Sequence, residues 1–162
     1  MTISLKHTGR RTGALLVSLL LLTLAVSASA AAVKMTVGVR FWRESGDKES
    51  MADSAVDTTR EATLTRQPNG TFTLELPVKQ LSSMNMTGCL TGIAIGEVNY
   101  DGTLSGDLSN GTAVLTLKNL PASVLTGSDS SKALAVTCSI KMDTILLGDI
   151  STSAKMSIWV ER

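Results

Sequence analysis

The stretch Lys34-Met35-Thr36-Val37-Gly38-Val39-Arg40-Phe41-Trp42-Arg43 puts Met35, Val37, Val39 and Phe41 on one side and polar or small residues on the other. Successive side chains of an extended chain point to opposite faces, so this alternation reads as a half-buried strand. The pattern recurs downstream. Residues 61–67 and 70–76 are two more runs, joined through Pro68-Asn69-Gly70, and Asn-Gly between alternating runs signals a hairpin. Residues 90–100 follow, closed by an Asp101-Gly102 turn. A weaker run covers 103–108, and Ser109-Asn110-Gly111 leads into 112–118. Leu134, Val136, Cys138, Ile140 and Met142 share one face of the next run, and Met156, Ile158 and Val160 are expected inward in the last, 154–160. About eight short strands separated by turn residues predict an all-β chain, an immunoglobulin-like antiparallel β-sandwich. The single helix candidate is one turn over residues 50–56, with Ser50 as its cap and Asp53 three residues on.

Of the 162 residues, 43% are hydrophobic, 18% charged and 3% aromatic, and the apolar share is concentrated at the start. Lys6, Arg10 and Arg11 give a positive N-terminus. An apolar run over 14–26 follows, and Ser27-Ala28-Ser29-Ala30 offers an A-x-A cleavage site. The run is shorter than the ~20 residues a spanning helix needs. Residues 1–30 are therefore expected to be a signal peptide and 31–162 one β-sandwich domain; the other reading is an uncleaved anchor. The expected location is secreted or extracellular, with attachment to the surface through a partner.

Without the leader the chain carries 12 basic and 14 acidic residues, a net charge of −2. That lacks the dense cationic face of a nucleic-acid binder. The only histidine, His7, lies in the leader. A mature chain without histidine runs neither a Ser-His-Asp nor a Cys-His mechanism, so binding is expected and catalysis is not. Cys89 and Cys138 form an even pair in an exported chain, which predicts a disulfide closing a loop of about fifty residues, worth roughly 4 kcal/mol; two buried free thiols are the alternative.

Asp101, Asp107 and Asn110 lie near glycines without the alternate spacing of a calcium loop, and read as turn chemistry. Glu44, Asp47, Glu49 and Asp53 surround Lys48 in one stretch that reads as a solvated loop. Asn69, Asn85 and Asn110 begin N-x-T triplets, two of them in Asn-Gly turns. Six methionines remain after the leader: Met35, Met51, Met84, Met86, Met142 and Met156. Met35 and Met156 read as core fillers. The other four are candidates for a pocket wall or for soft thioether ligands to haem iron or copper(I).

The segment Phe41-Trp42-Arg43-Glu44-Ser45-Gly46-Asp47-Lys48-Glu49-Ser50-Met51-Ala52-Asp53-Ser54-Ala55-Val56 resembles the start of a NEAT (near-iron transporter) domain, whose first strand runs into a short 3₁₀ turn written Ser-Met-Ala. Met84-Asn85-Met86-Thr87-Gly88-Cys89-Leu90 is similar to a Met-x-Gly-Leu-type run in NEAT-like domains of anaerobic Gram-positive bacteria. The likeness is specific over 41–56 and rests on order and length elsewhere. It implies an Ig-like sandwich with one short 3₁₀ turn that holds haem between that turn and the last hairpin, for haem capture and transfer in iron acquisition. Carried over, Ser50 meets a propionate, Met51 lies over the distal face, and Lys48 or Arg43 serves the propionates.

The chain departs from the pattern at the iron. Typical members ligate it with tyrosine in a Tyr-x-x-x-Tyr motif on the last strand, and Leu147-Gly148-Asp149-Ile150-Ser151-Thr152-Ser153-Ala154-Lys155-Met156 has none; Tyr100 is the only tyrosine. A streptococcal NEAT-like carrier uses two axial methionines instead. On that pattern Met51 is the distal ligand and Met142 the proximal one, with Met84 or Met86 behind it. Two neutral thioethers favour ferrous iron and raise its potential. Ile145, Leu146 and Leu147 add apolar surface to the hairpin. On the haem reading the expected partner besides haem is another haem carrier; the other reading of the resemblance is an Ig-like module that binds a host or surface protein and no haem.

Overall fold

In a computed structural model, which describes residues 31–83, 86–143 and 148–161, the alternating run that opens the chain is β1 (Val33–Arg43). Val37, Val39 and Phe41 are buried and Met35 packs against them. β2 (Ala62–Arg66) and β3 (Phe72–Pro77) form the expected hairpin across the Asn-Gly turn. Then come β4 (Leu81–Ser83), β5 (Met86–Ile95), β6 (Val98–Asp101), β7 (Thr103–Ser105), β8 (Val114–Leu120), β9 (Leu134–Met142) and β10 (Asp149–Val160). All pairings are antiparallel, in the order β4-β5-β9-β10-β1-β2-β3-β8-β7, with β6 also on β5. No helix of the described residues is long and apolar enough to cross a membrane.

Two strands change layer and so build a sandwich. β1 pairs with β2 over residues 33–37 and with β10 over 37–43. β6 pairs with β5, and after Gly102 the same chain continues as β7 on β8. One core fills the space between the layers, with Leu64, Leu74, Leu115 and Leu117 from one and Phe41, Leu90, Ile140 and Met156 from the other. Gly102 is the corner. Its N–H donates to the Thr91 carbonyl at 2.8 Å, and a Cβ there would strike the Cδ1 of fully buried Leu115.

Several boundaries differ from the sequence expectation. The expected strand 90–100 is a hairpin, β5 and β6, turning at Gly96-Glu97, a turn without the Asn-Gly or Asp-Gly signature. β10 begins at Asp149 rather than 154 because its outer face carries serines, which mask the alternation. Val160 is expected inward and is 49% exposed, as the last residue of β10. Besides the expected 3₁₀ turn, now Met51–Ala55, shorter ones lie at Ala122–Val124 and Ser130–Lys132. The signal peptide assigned to 1–30 and the apolar run 145–147 lie outside the described residues.

The expected Cys89–Cys138 disulfide is not formed: both cysteines are free and buried. Cys89 stands opposite Lys141, and Cys138 opposite Ile93. Directly opposed residues share a face. Cys138 therefore faces inward with Ile93 and Ile140, and Cys89 lies on the outer face with Lys141. The two are also about 10 Å apart along the strands, beyond the reach of a disulfide. Burial pushes the Cys138 thiol up to about 12, and burial followed by the Asp143 carboxylate raises Cys89. Intact mass should not change on reduction, and Cys138 should react with an alkylating agent only after unfolding; rapid labelling of Cys138 in the native domain would contradict this packing.

The turns repeat one device, an Asp or Asn whose side chain accepts from the residue two places on. Asp57 accepts the Thr59 N–H and hydroxyl at 3.1 and 2.7 Å. Asn69 does the same for Thr71, Asp107 for Ser109 and Asn110 for Thr112, while Asp129 takes the Ser131 N–H. These bonds hold Asp57, Asp107 and Asp129 below the usual carboxylate range, and the Lys34 ammonium lowers Glu75. A depressed carboxylate contributes stability that is present above its unfolded pKa and is lost as pH falls through the folded one. Asp53 has the opposite sign: burial raises it, so its charged form weakens the fold at neutral pH and that penalty is relieved on acidification. The four depressed carboxylates should lower the melting temperature as pH falls below about 4, after Asp53 has been protonated and its penalty relieved. A melting temperature that rises in that acid range would contradict the assignment.

Candidate functional site

The chain leaving β1 folds straight back on it. Glu49 bridges to Trp42, the Arg43 N–H donates to the Lys48 carbonyl at 2.7 Å, and the Ser50 N–H donates to the Phe41 carbonyl at 2.9 Å. Ser50 then caps the 3₁₀ turn, its Oγ accepting the Asp53 N–H at 3.4 Å. Asp53 does not reach back to the cap as a capping box would. Its Oδ1 accepts the Phe41 N–H at 2.7 Å, tying the turn to the C-terminal end of β1. Asp53 is buried, and the desolvation this costs is offset in part by that bond and by Arg40 and Lys79, against Glu49. Ala52 and Ala55 are fully buried, and the turn packs on β1 and β5.

This anchoring leaves Met51 and Ser54 out, and of the two only Met51 is apolar. Met51, in the first position of the turn, is 42% exposed although its neighbours are buried. Ser50 is buried beside it. Lys48 is exposed and has no ion pair among the described residues. Arg43 is exposed, its Nε donating to the Glu49 carbonyl at 3.3 Å.

The β9–β10 hairpin extends past the end of β1, which reaches only Ala154 on β10. On its inner face Ile140 opposes Ile150 and Cys138 opposes Thr152. Met142 ends that face, 7% exposed and opposite Gly88 of β5. A Cβ on Gly88 would come within 2.7 Å of the Met142 sulfur, so the missing side chain makes room for the thioether. Met51 and Met142 thus lie on different elements, the turn and β9, each of which packs on β5. Met86 lies in β5 opposite Ser83; Met84 lies outside the described residues. No phenol faces inward on β10, where Ile150, Thr152, Ala154 and Met156 follow one another, and Tyr100 is on β6 opposite Ile93.

No family model matches the chain, and no curated protein matches it. Several solved structures do, two of which bear directly on the turn and hairpin. One is the NEAT5 domain of IsdX2, a B. anthracis hemophore, in complex with heme: 9% identity, TM-score 0.51, covering 82% of this chain and 99% of that one. The other is a single-substitution mutant of the same domain, also with heme, at the same identity and TM-score, covering 98% of that chain. The chain has the NEAT-domain fold. In NEAT terms the expected elements are present: the serine-capped 3₁₀ turn after the first strand and the long last hairpin. Asp53, as the anchor of the turn, and Gly88, as the seat of Met142, were not singled out from sequence. A three-residue motif signals neither, because each acts through a strand distant in the chain.

Proposed function

We propose that residues 31–162 are a secreted or surface haem-binding module that captures haem and passes it on, after removal of residues 1–30 as a signal peptide. The observation that carries this reading is an exposed thioether, Met51, on a turn held in place by buried Ala52, Asp53 and Ala55, in a chain of NEAT fold. The donor set suits haem iron: thioether sulfur is a soft ligand, and Met51 and Met142 supply one from each wall. Ser50 and Lys48 are the polar groups beside Met51 and would take the propionates. Half-buried Ile150, packed on fully buried Ile140, offers apolar surface to the macrocycle. Haem, once bound, would supply a redox-active iron; the chain's part is to hold it, shield it and release it to another carrier. Met84 and Met86 remain alternatives to Met142.

Titration of the mature domain with hemin, followed in the Soret region in ferric and dithionite-reduced forms, tests the proposal. A saturable one-to-one change with sharp ferrous α and β bands is expected. No change beyond that of an unrelated β-sandwich would leave the other reading, a NEAT-fold module that binds a protein and no haem, which the absence of an inward phenol on β10 favours.

A further inference from the structure

Beside β1, on the side away from β10, lies a cavity of about 210 Å³ bounded by residues 37–40, 56–62, Trp159 and Glu161 among others. It opens where β1 changes layer: the ladder with β2 ends at the Val37–Ala62 pair. Backbone groups of an antiparallel strand point alternately to its two neighbours. Phe41 gives the parity, since its N–H and C=O bond Asp53 and Ser50 on the side away from β10. Ile158, the partner of Val39 on β10, agrees: its N–H and C=O turn away from β1, to Thr126 and Gly127. Val39 therefore directs both backbone groups into the cavity, and neither has a protein partner among the described residues. Val39 is 7% exposed, and native folds seldom leave a buried backbone pair open.

The walls define a chemistry. An adjacent donor and acceptor on a strand edge match one residue of an added strand. Arg40 is committed to Glu49 at 3.2 Å and to the Trp42 ring at 5.5 Å. Arg60 donates to the carbonyls of Gly111, Thr112 and Ala113. Glu61 and Glu161 are exposed at the rim with no ion pair among the described residues. The half-buried ring of Trp159 lies against Gly38 and offers a flat apolar wall for the stem of a long side chain.

We propose that this cavity docks an extended peptide segment, one residue pairing with Val39 and a neighbouring lysine or arginine meeting Glu61 and Glu161. The cavity begins at Val56, the residue that ends the turn, but contains none of the side chains assigned to haem, and its occupancy does not depend on that assignment.

The test uses the ¹⁵N-labelled mature domain, without haem, and the acetylated, amidated tripeptide Val-Lys-Val. A saturable shift of the Val39 amide and the Trp159 indole is expected, several-fold weaker with Val-Glu-Val. Reversing both rim charges, Glu61→Lys with Glu161→Lys, should invert that preference without unfolding the domain, because both side chains are exposed. In the unliganded domain the Val39 amide should exchange with solvent much faster than that of Phe41. Val39 protection equal to that of Phe41, or no saturable shift at about 10 mM peptide, an order of magnitude above a weak ~1 mM contact, overturns the proposal.

Discussion

Alanine in place of Gly102 is expected to lower the unfolding free energy by about 2 kcal/mol or more. The added Cβ meets the Cδ1 of Leu115 and comes within 2.8 Å of the Thr91 carbonyl oxygen. Leu115 is fully buried and cannot swing away without disturbing the core it shares with Leu117 and Leu76. The carbonyl accepts the Gly102 N–H, so a shift that relieves the clash also loosens the bond that sets the corner. For a domain of this size the change appears as a fall in melting temperature of the order of 10 °C. Gly96→Ala is the control: its φ is +59° with open space around it, so only the left-handed backbone penalty of about 1–2 kcal/mol applies. Combining Gly102→Ala with Leu115→Ala should cost less than the sum of the two, because the truncated leucine vacates the place the methyl needs. Strict additivity, or a loss below about 0.5 kcal/mol for Gly102→Ala, would mean the corner is not closed by this contact.

What sequence could reveal follows from which interactions are local. The alternation in β1 and β9 needed no partner to be read, since burial on one face of a strand shows in period two, and Val37, Val39, Phe41, Val136, Cys138 and Ile140 are all buried as expected. The Ser50 cap was equally local. The disulfide was not, because an even cysteine count carries no register; the pairing of Cys89 with Lys141 puts the two thiols on opposite faces. The site shows the same division. Ser50 and Met51 are adjacent in sequence and in space, whereas Asp53 acts on Phe41 and Met142 on Gly88 across strands. The open edge at Val39 left no mark in composition at all, since it arises where two ladders part company.

Leucine in place of Met51 or of Met142 should each change the spectrum of bound haem, and the pair of results separates the two thioethers. Leucine conserves volume and removes the sulfur, so Met142→Leu avoids the 2–5 kcal/mol that an alanine cavity costs in a core. That matters at Met142, which is 7% exposed against Gly88, and little at Met51, which is 42% exposed. If both sulfurs bind iron, each single variant loses the sharp ferrous bands of a six-coordinate low-spin centre. Each should also bind haem at least about tenfold more weakly, ~1.4 kcal/mol, and its midpoint potential should fall as a soft neutral donor is lost. Circular dichroism of the haem-free variants should stay that of the parent, since neither substitution touches the anchors at Asp53 or Phe41. A change with Met51→Leu alone would move the second ligand to one of the other candidate methionines, Met86 or Met84. Unaltered spectra in both variants would mean that haem, if taken up, is held by its macrocycle and propionates, and the thioether assignment would fail while the apolar surface of Ile150 still contributed to binding.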